Sequence, residues 1–197
     1  MMKIKYYYSV LSPFSHLGID RFIDLAKKYK IEIDEKPFDL VGEIFPNTGG
    51  IPVPQRHITR QKYRLIEIER IGKKYGIEIK LQPKFFPPID PHLPAKFTLA
   101  AIKDGNRLTF GKECLKYLWV KEKNISDLLV LEEICKKLNL DFQKIQELAN
   151  SEEITKIYLE NSKDAIKNDV FGAPTYVFEN EMFWGQDRLE YLEDKIK

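Results

Sequence analysis

The sequence contains little cysteine, with only Cys114 and Cys135 among 197 residues. Neither belongs to a Cys-x-x-Cys pair, so the chain lacks the motif of a disulfide oxidoreductase. Cys135 lies on an apolar stripe at helical spacing with Leu131, Ile134 and Leu138. Buried cysteines behave as small apolar side chains, and both residues are therefore predicted to be core residues.

Long apolar runs are also absent. No stretch approaches the ~20 apolar residues of a membrane span, and no N-terminal apolar run precedes a cleavage site, so a cytoplasmic protein with no membrane partner is expected. The net charge is only +2, with 32 basic residues scattered among 30 acidic ones, which gives no nucleic-acid footprint. The histidines form no metal-ligand cluster with the cysteines, so no metal is predicted; they are His16, His57 and His92.

The two ends of the chain carry the strand signals. Residues 3–10 alternate as a strand, an amphipathic helix follows, and a second strand covers 31–38, which predicts a right-handed βαβ unit. Near the C-terminus, 174–178 and 181–184 read as a hairpin around Glu179-Asn180, and 186–197 reads as the final helix.

The middle of the chain shows helix signals and almost no strand signals. One helix is predicted to stop at Gly76, and the proline-rich stretch 80–94 is predicted to be a loop. The fold class is therefore α/β: a thioredoxin-like sheet in the order βαβ…ββα, built from 1–55 and 170–197, with an all-helical insertion over 56–169. Two lobes with a cleft between them are expected.

The run Ser12-Pro13-Phe14-Ser15 marks the first turn between strand and helix. Thiol-redox folds place Cys-x-x-Cys at such a turn, where the helix N-terminus stabilises a thiolate. Here hydroxyls replace both thiols, and a hydroxyl can only donate a hydrogen bond to a thiolate that comes from elsewhere. Serine followed by proline is also an ordinary helix start, which is the simpler interpretation. His16 follows on the same turn and is expected to be solvated.

Two C-terminal motifs would meet this turn at one end of the sheet. In thioredoxin-like folds the loop facing the first helix carries a cis-proline, which here is Pro174 in Phe171-Gly172-Ala173-Pro174-Thr175. The backbone of Ala173 would then pair with an extended ligand, although proline at a strand start is unremarkable by itself. In Trp184-Gly185-Gln186-Asp187-Arg188, Gln186 or Asp187 either caps the final helix or captures charged ends of a ligand.

These motifs resemble the 2-hydroxychromene-2-carboxylate isomerase family, which groups with kappa-class glutathione transferases in the DsbA-like thioredoxin superfamily. The similarity extends over essentially the whole chain. It implies glutathione, or another low-molecular-weight thiol, as cofactor. It also implies that Ser12 is the catalytic serine that hydrogen-bonds the sulfur. The implied cofactor-binding residues are Ser12, Ala173, Pro174, Trp184, Gly185, Gln186 and Asp187.

The implied activity is a glutathione-dependent isomerase, in which a thiolate adds to and leaves a conjugated or aromatic acid, so the implied partner is a small-molecule substrate. A kappa-like glutathione transferase and a non-catalytic thiol- or peptide-binding protein remain alternatives. Dimers are common among relatives, so a homodimer is an expectation of the resemblance. The acceptor pocket departs from the family pattern, because Gly42-Glu43-Ile44 and the residues around Pro54 replace its usual lysine and asparagine. Predicted substrate contacts are Phe85, Pro54 and Arg56. Arg56 and Lys62 could supply the positive charge instead of the lysine, although solvated helix charges are the simpler interpretation.

Overall fold

The computed structural model describes residues 2–197 and contains a mixed four-stranded sheet in the order β2-β1-β3-β4. Its strands are β1 (Lys3–Tyr8), β2 (Glu32–Pro37), β3 (Thr175–Phe178) and β4 (Glu181–Trp184). β1 is parallel to β2 and antiparallel to β3, and β3 and β4 form the C-terminal hairpin. The predicted thioredoxin-like order is therefore confirmed, with the first strand ending at Tyr8 rather than at residue 10.

The hairpin turn follows from local backbone chemistry. Glu179 and Asn180 both have positive φ angles, 49° and 66°. A two-residue turn with both central residues in this region matches the right-handed twist of the flanking strands. The turn predicted from these two residues is thus present.

The remaining chain is largely helical. The helices are α1 (Pro13–Lys28), α2 (Phe45–Thr48), α3 (Ile58–Tyr75), α4 (His92–Lys103), α5 (Thr109–Trp119), α6 (Leu128–Lys137), α7 (Phe142–Ala149), α8 (Glu152–Lys167) and α9 (Leu189–Ile196). α3 ends at Gly76 as predicted. A π-helical turn over Leu40–Ile44 and a 3-10 turn over Val53–Gln55 were not predicted. No helix within residues 2–197 is long and apolar enough to cross a membrane.

Two predicted helix boundaries were also wrong. The proline-rich loop ends at Pro91, and Pro94 lies in the first turn of α4, where a helix does not need the missing backbone N–H. α9 begins at Leu189 with Arg188 at its N-cap, so Gln186 and Asp187 precede the helix and do not cap it.

Aromatic rings support the strand that leads to the Ser12 turn. The Tyr6 ring on β1 stacks on Tyr8 at 4.6 Å and on Tyr176 at 5.4 Å, and it contacts Phe22 of α1 at 4.8 Å between centroids. All four side chains are buried. Because each large ring removes much apolar surface from water, this stack fixes α1 on the sheet.

The helical insertion packs directly on α1, which contacts α3 and α5, and on the sheet, where β2 contacts α4 and α8. The two cysteines lie in the shared core and are fully buried, as expected. Burial is the main cause that raises the pKa of the Cys135 thiol, to about 11. The division into domains 1–55 with 170–197 and 56–169 stays a prediction.

A carboxylate interrupts this core. Glu35 faces inward from β2, where its Oε1 accepts a 2.5 Å hydrogen bond from the Tyr8 hydroxyl and its Oε2 accepts one of 2.6 Å from the Leu108 N–H. Burial raises the pKa of Glu35 to about 7, against the lowering effect of these two hydrogen bonds. The side chain joins β1, β2 and the turn between α4 and α5.

Candidate functional site

The site begins at the N-terminus of α1. The Ser12 side chain, 7% exposed, is the N-cap: its Oγ accepts a 3.2 Å hydrogen bond from the Ser15 N–H. The same hydroxyl donates to the carbonyl oxygen of Ala173 at 3.2 Å. The first turn carries no acidic residue, so the positive end of the helix dipole is not compensated there. Ser12 therefore caps the helix and also contacts the loop before β3.

The side chains of Ser15 and His16 are not openly exposed to a ligand. Ser15 is fully buried, and its Oγ makes no hydrogen bond within residues 2–197. The His16 ring lies 3.0 Å from the Glu78 carbonyl oxygen through Nε2, so the expectation of a solvated imidazole was wrong. Burial holds the pKa of His16 below its ordinary value, which favours the neutral imidazole.

The loop opposite Ser12 presents backbone groups. The Ala173–Pro174 peptide bond is cis, the geometry that thioredoxin-like folds have in the loop facing the first helix. The Ala173 N–H has no hydrogen-bond partner in the described part of the chain, while its carbonyl accepts from Ser12. An extended peptide-like ligand can thus pair with a backbone donor beside the Ser12 hydroxyl.

The segment after β4 is tied to this loop. The Gly185 N–H donates to the Pro174 carbonyl oxygen at 2.9 Å. Gly185 has a φ of +117°, and a Cβ there would lie 2.5 Å from Oδ1 of Asp187. Only glycine suits this backbone and this contact.

Trp184 forms an aromatic wall beside the loop. Its ring lies 4.6 Å from the Phe171 ring in an edge-on arrangement and remains 49% exposed. The indole covers Gly172 so closely that a Cβ at Gly172 would lie 2.2 Å from Trp184 Nε1. The absence of a side chain at Gly172 therefore sets the position of the indole.

Replacing Gly172 with alanine is expected to push the Trp184 ring outward. Because the ring is half exposed and can yield, the loss of stability should be modest, about 1 kcal/mol. The effect should appear in tryptophan fluorescence as a red-shifted emission and in weaker ligand binding at this loop. The buried Trp119 serves as an internal reference, since its environment should not change. Unaltered emission together with unaltered ligand affinity would contradict the assigned contact.

The side chains of Gln186 and Asp187 differ in how far they are exposed to a ligand. Gln186 is 4% exposed, and its Oε1 accepts a hydrogen bond from Arg21 of α1. The Arg21 guanidinium also lies 3.8 Å over the Tyr75 ring of α3, so Gln186 joins the tail motif to two helices. Asp187 pairs with Arg188 at 2.7 Å at the surface. Because Asp187 is exposed, its carboxylate can also reach a ligand cation.

A cleft of about 610 Å³ connects these features. One part of its lining is the loop and tail motif. The other is Phe14 of α1 together with the segment leading into α3 and the first four turns of that helix. The lining residues are Phe14, Arg56, Thr59, Arg60, Tyr63, Arg64, Glu67, Ile71, Ala173, Trp184, Gly185, Gln186, Asp187 and Arg188. Ser12 does not line this cleft itself, but its hydroxyl is hydrogen-bonded to Ala173, which does.

The predicted substrate contacts are only partly brought together. Arg56 lines the cleft, and its Nε donates to the Ile51 carbonyl oxygen at 2.7 Å. Pro54 and Phe85 do not line it: Pro54 is exposed, and Phe85 packs against the main core. Their substrate roles stay predictions.

Sequence reasoning missed the α3 residues of the cleft lining, including Arg60 and Arg64. The four-residue spacing of Arg60 and Arg64 was a signal that would have found this pair, because side chains four apart on a helix share a face. In the part of the chain that the structure describes, no group of three or more potential ligands could hold a metal ion.

The comparisons with known proteins cover the whole chain. The family model of the DSBA-like thioredoxin domain matches residues 3–197. The 2-hydroxychromene-2-carboxylate isomerase of Pseudomonas putida is 28% identical over 99% of this chain and 94% of that protein. Glutathione S-transferase kappa 1 of Caenorhabditis elegans is 24% identical over 99% and 91%. A solved 2-hydroxychromene-2-carboxylate isomerase has the same fold, with a TM-score of 0.81 and 24% identity over 99% of this chain and 94% of that one.

Proposed function

The chain belongs to the DSBA-like thioredoxin domain family, and on that premise we propose that it is a glutathione-dependent isomerase of conjugated or aromatic acids. The observation that carries this is the Ser12 hydroxyl at the α1 N-terminus, bonded to the loop before Pro174. Both cysteines are buried in the core and neither lines the cleft. A thiol that acts there must therefore come from a ligand.

The residues at the cleft fit glutathione. Its extended peptide backbone can pair with the Ala173 N–H, which has no partner within residues 2–197. Its amino group can meet the exposed carboxylate of Asp187, and Trp184 offers an apolar wall between the two. When bound, glutathione supplies the nucleophilic thiolate that adds to the conjugated acceptor and leaves again.

Ser12 would stabilise that thiolate. The Ser15 N–H donates to Ser12 Oγ and polarises its O–H, which can turn from the Ala173 carbonyl to a sulfur acceptor. The α1 N-terminus adds a favourable field for a negative charge. Together these effects favour the charged form by on the order of 1–3 kcal/mol.

A kappa-like transferase would use the same thiol-binding half of the cleft, and the similarity to a kappa transferase supports it as the second candidate. Arg56, Arg60 and Arg64 line the part of the cleft formed by α3 and the segment before it. Their positive charge favours an acidic acceptor and hence the isomerase. In a non-catalytic binding protein, ligand binding would persist with no turnover of any acceptor.

Calorimetric titration with glutathione and two rate assays separate these functions. We expect saturable glutathione binding and isomerisation of 2-hydroxychromene-2-carboxylate that requires glutathione, followed by absorbance. Conjugation of a chloro-aromatic compound without isomerisation would replace the isomerase with the transferase. Binding with neither activity would favour the non-catalytic protein, and no glutathione binding would contradict both enzyme assignments.

A further inference from the structure

Three arginines form a row along one side of the cleft. Arg56 lies just before α3, and Arg60 and Arg64 follow on its first two turns. Residues four apart on a helix are neighbours on its surface, and all three of these side chains line the cleft. We call Arg56, Arg60 and Arg64 the arginine row.

The arginine row has no carboxylate partner within residues 2–197. The two carboxylates of the cleft are already paired, Glu67 with Arg70 and Asp187 with Arg188. Burial and, to a lesser extent, the nearby Arg56 lower the pKa of Arg64 to about 10. Three like charges thus face one space, and an anion bound there would relieve their repulsion.

Two members of the row are held in place before any ligand arrives. The Arg64 guanidinium is half-buried and lies 5.5 Å from the Phe86 ring and 5.8 Å from the Trp119 ring. The Arg56 Nε is fixed on the Ile51 carbonyl oxygen. A planar guanidinium that is already ordered binds a carboxylate with little loss of side-chain entropy.

The row lies apart from the groups assigned to the thiol. Ala173 and residues 184–187 come from the loop before β3 and the segment after β4, whereas the row belongs to the α3 side of the lining. Phe14 and Tyr63 line the cleft as well and offer aromatic surface for a flat conjugated group.

We propose that the arginine row is the subsite for the acceptor's carboxylate and makes the enzyme select conjugated carboxylic acids over uncharged analogues. This rests on the proposed function for the identity of the attacking thiol, but carboxylate binding itself is independent of that thiol. A charge-assisted, bidentate guanidinium–carboxylate contact has the strength and geometry for this selection.

Binding of two probes without glutathione tests the subsite. trans-Cinnamate carries the conjugated carboxylate, and cinnamamide is its uncharged counterpart. Calorimetry should show cinnamate binding more tightly than cinnamamide. Arg60→Gln and Arg64→Met should each weaken cinnamate about tenfold and leave cinnamamide unchanged. Lys62→Gln is the matched control, because Lys62 is a cation of the same helix outside the cleft lining.

Several results would overturn the subsite: equal affinity for both probes, no saturable cinnamate binding at millimolar concentration, or equal weakening by Lys62→Gln. Weakening of glutathione binding by Arg64→Met as large as that of cinnamate would also do so. Thermal melting checks the fold of each variant, and Arg60 is exposed, so its variant remains informative if Arg64→Met is unstable. If glutathione binds but the protein does not distinguish cinnamate from cinnamamide, only the subsite is contradicted. If cinnamate binds more tightly than cinnamamide but glutathione does not bind, only the proposed function is contradicted.

Discussion

Replacement of Ser12 by alanine is expected to lower kcat/KM of the glutathione-dependent isomerisation about 10- to 100-fold. A hydrogen bond to a charged group contributes about 1.5–3 kcal/mol, and the thiolate would lose its side-chain donor. The ultraviolet absorbance of bound thiolate should titrate at higher pH in the variant than in the wild type. Because Ser12 is also the N-cap of α1, the variant should lose about 1 kcal/mol of stability.

Two further variants separate chemistry from helix stability. Ser12→Gly removes the hydroxyl but retains most of the capping preference, so it should lose the rate with only a few tenths of a kcal/mol of stability. Ser15→Ala is the matched control, because Ser15 is buried and its N–H, which caps onto Ser12, is unaffected. Its rate should stay within about twofold of wild type. Equal losses of rate in Ser12→Ala and Ser15→Ala would contradict the role of Ser12.

Replacement of Glu35 by glutamine is expected to stabilise the protein above neutral pH. The pKa of Glu35 is raised from its ordinary 4.5 to about 7, chiefly by burial. Between these values the folded state holds a proton that the unfolded state has lost, so wild-type stability falls as pH rises. The fall is about 1.4 kcal/mol per pH unit and totals on the order of 3 kcal/mol by pH 8. Glutamine cannot ionise, and this part of the pH dependence disappears.

Urea unfolding from pH 4 to pH 8 measures the difference between variant and wild type. The difference should be small at pH 4, where both side chains are neutral, and should grow in favour of the variant up to pH 8. Glu32→Gln on the same strand is the control, because its carboxylate is partly exposed and pairs with Lys3 at the surface. Parallel curves for wild type and Glu35→Gln would refute the assigned ionisation.

Structural features that are determined by a few neighbouring residues could be predicted from the sequence. The Ser12-Pro13 helix start, the Glu179-Asn180 turn and the end of α3 at Gly76 depend on neighbouring residues, and each is present. Glu35 was also within reach: along β2, Ile33, Glu35 and Pro37 share the buried face. The alternation of side chains between the two faces of the strand therefore predicts an inward-facing carboxylate at this position, a prediction that was not made from the sequence.

Parts of the candidate site could not be predicted because distant contacts create them. Gln186 was predicted either to cap the final helix or to bind a ligand. Its buried contact with Arg21, 165 residues earlier in the chain, had no local signal. Arg64 gains its place from the rings of Phe86 and Trp119, which reach it from other segments. No local pattern encodes these aromatic partners, although the four-residue spacing of Arg60 and Arg64 does place the two side chains on one face of α3.

The hydrogen bond from Ser12 to the Ala173 carbonyl has a consequence for ligand choice. Before a ligand binds, the hydroxyl already has a satisfactory neutral acceptor, and binding exchanges that acceptor for another. A protonated thiol is a weak acceptor and cannot compete with a peptide carbonyl, whereas an ionised sulfur can. Because of this exchange, the hydroxyl discriminates ligands by charge. The turn stabilises the bound ligand when its sulfur is ionised and adds no net hydrogen bond when the same sulfur is protonated.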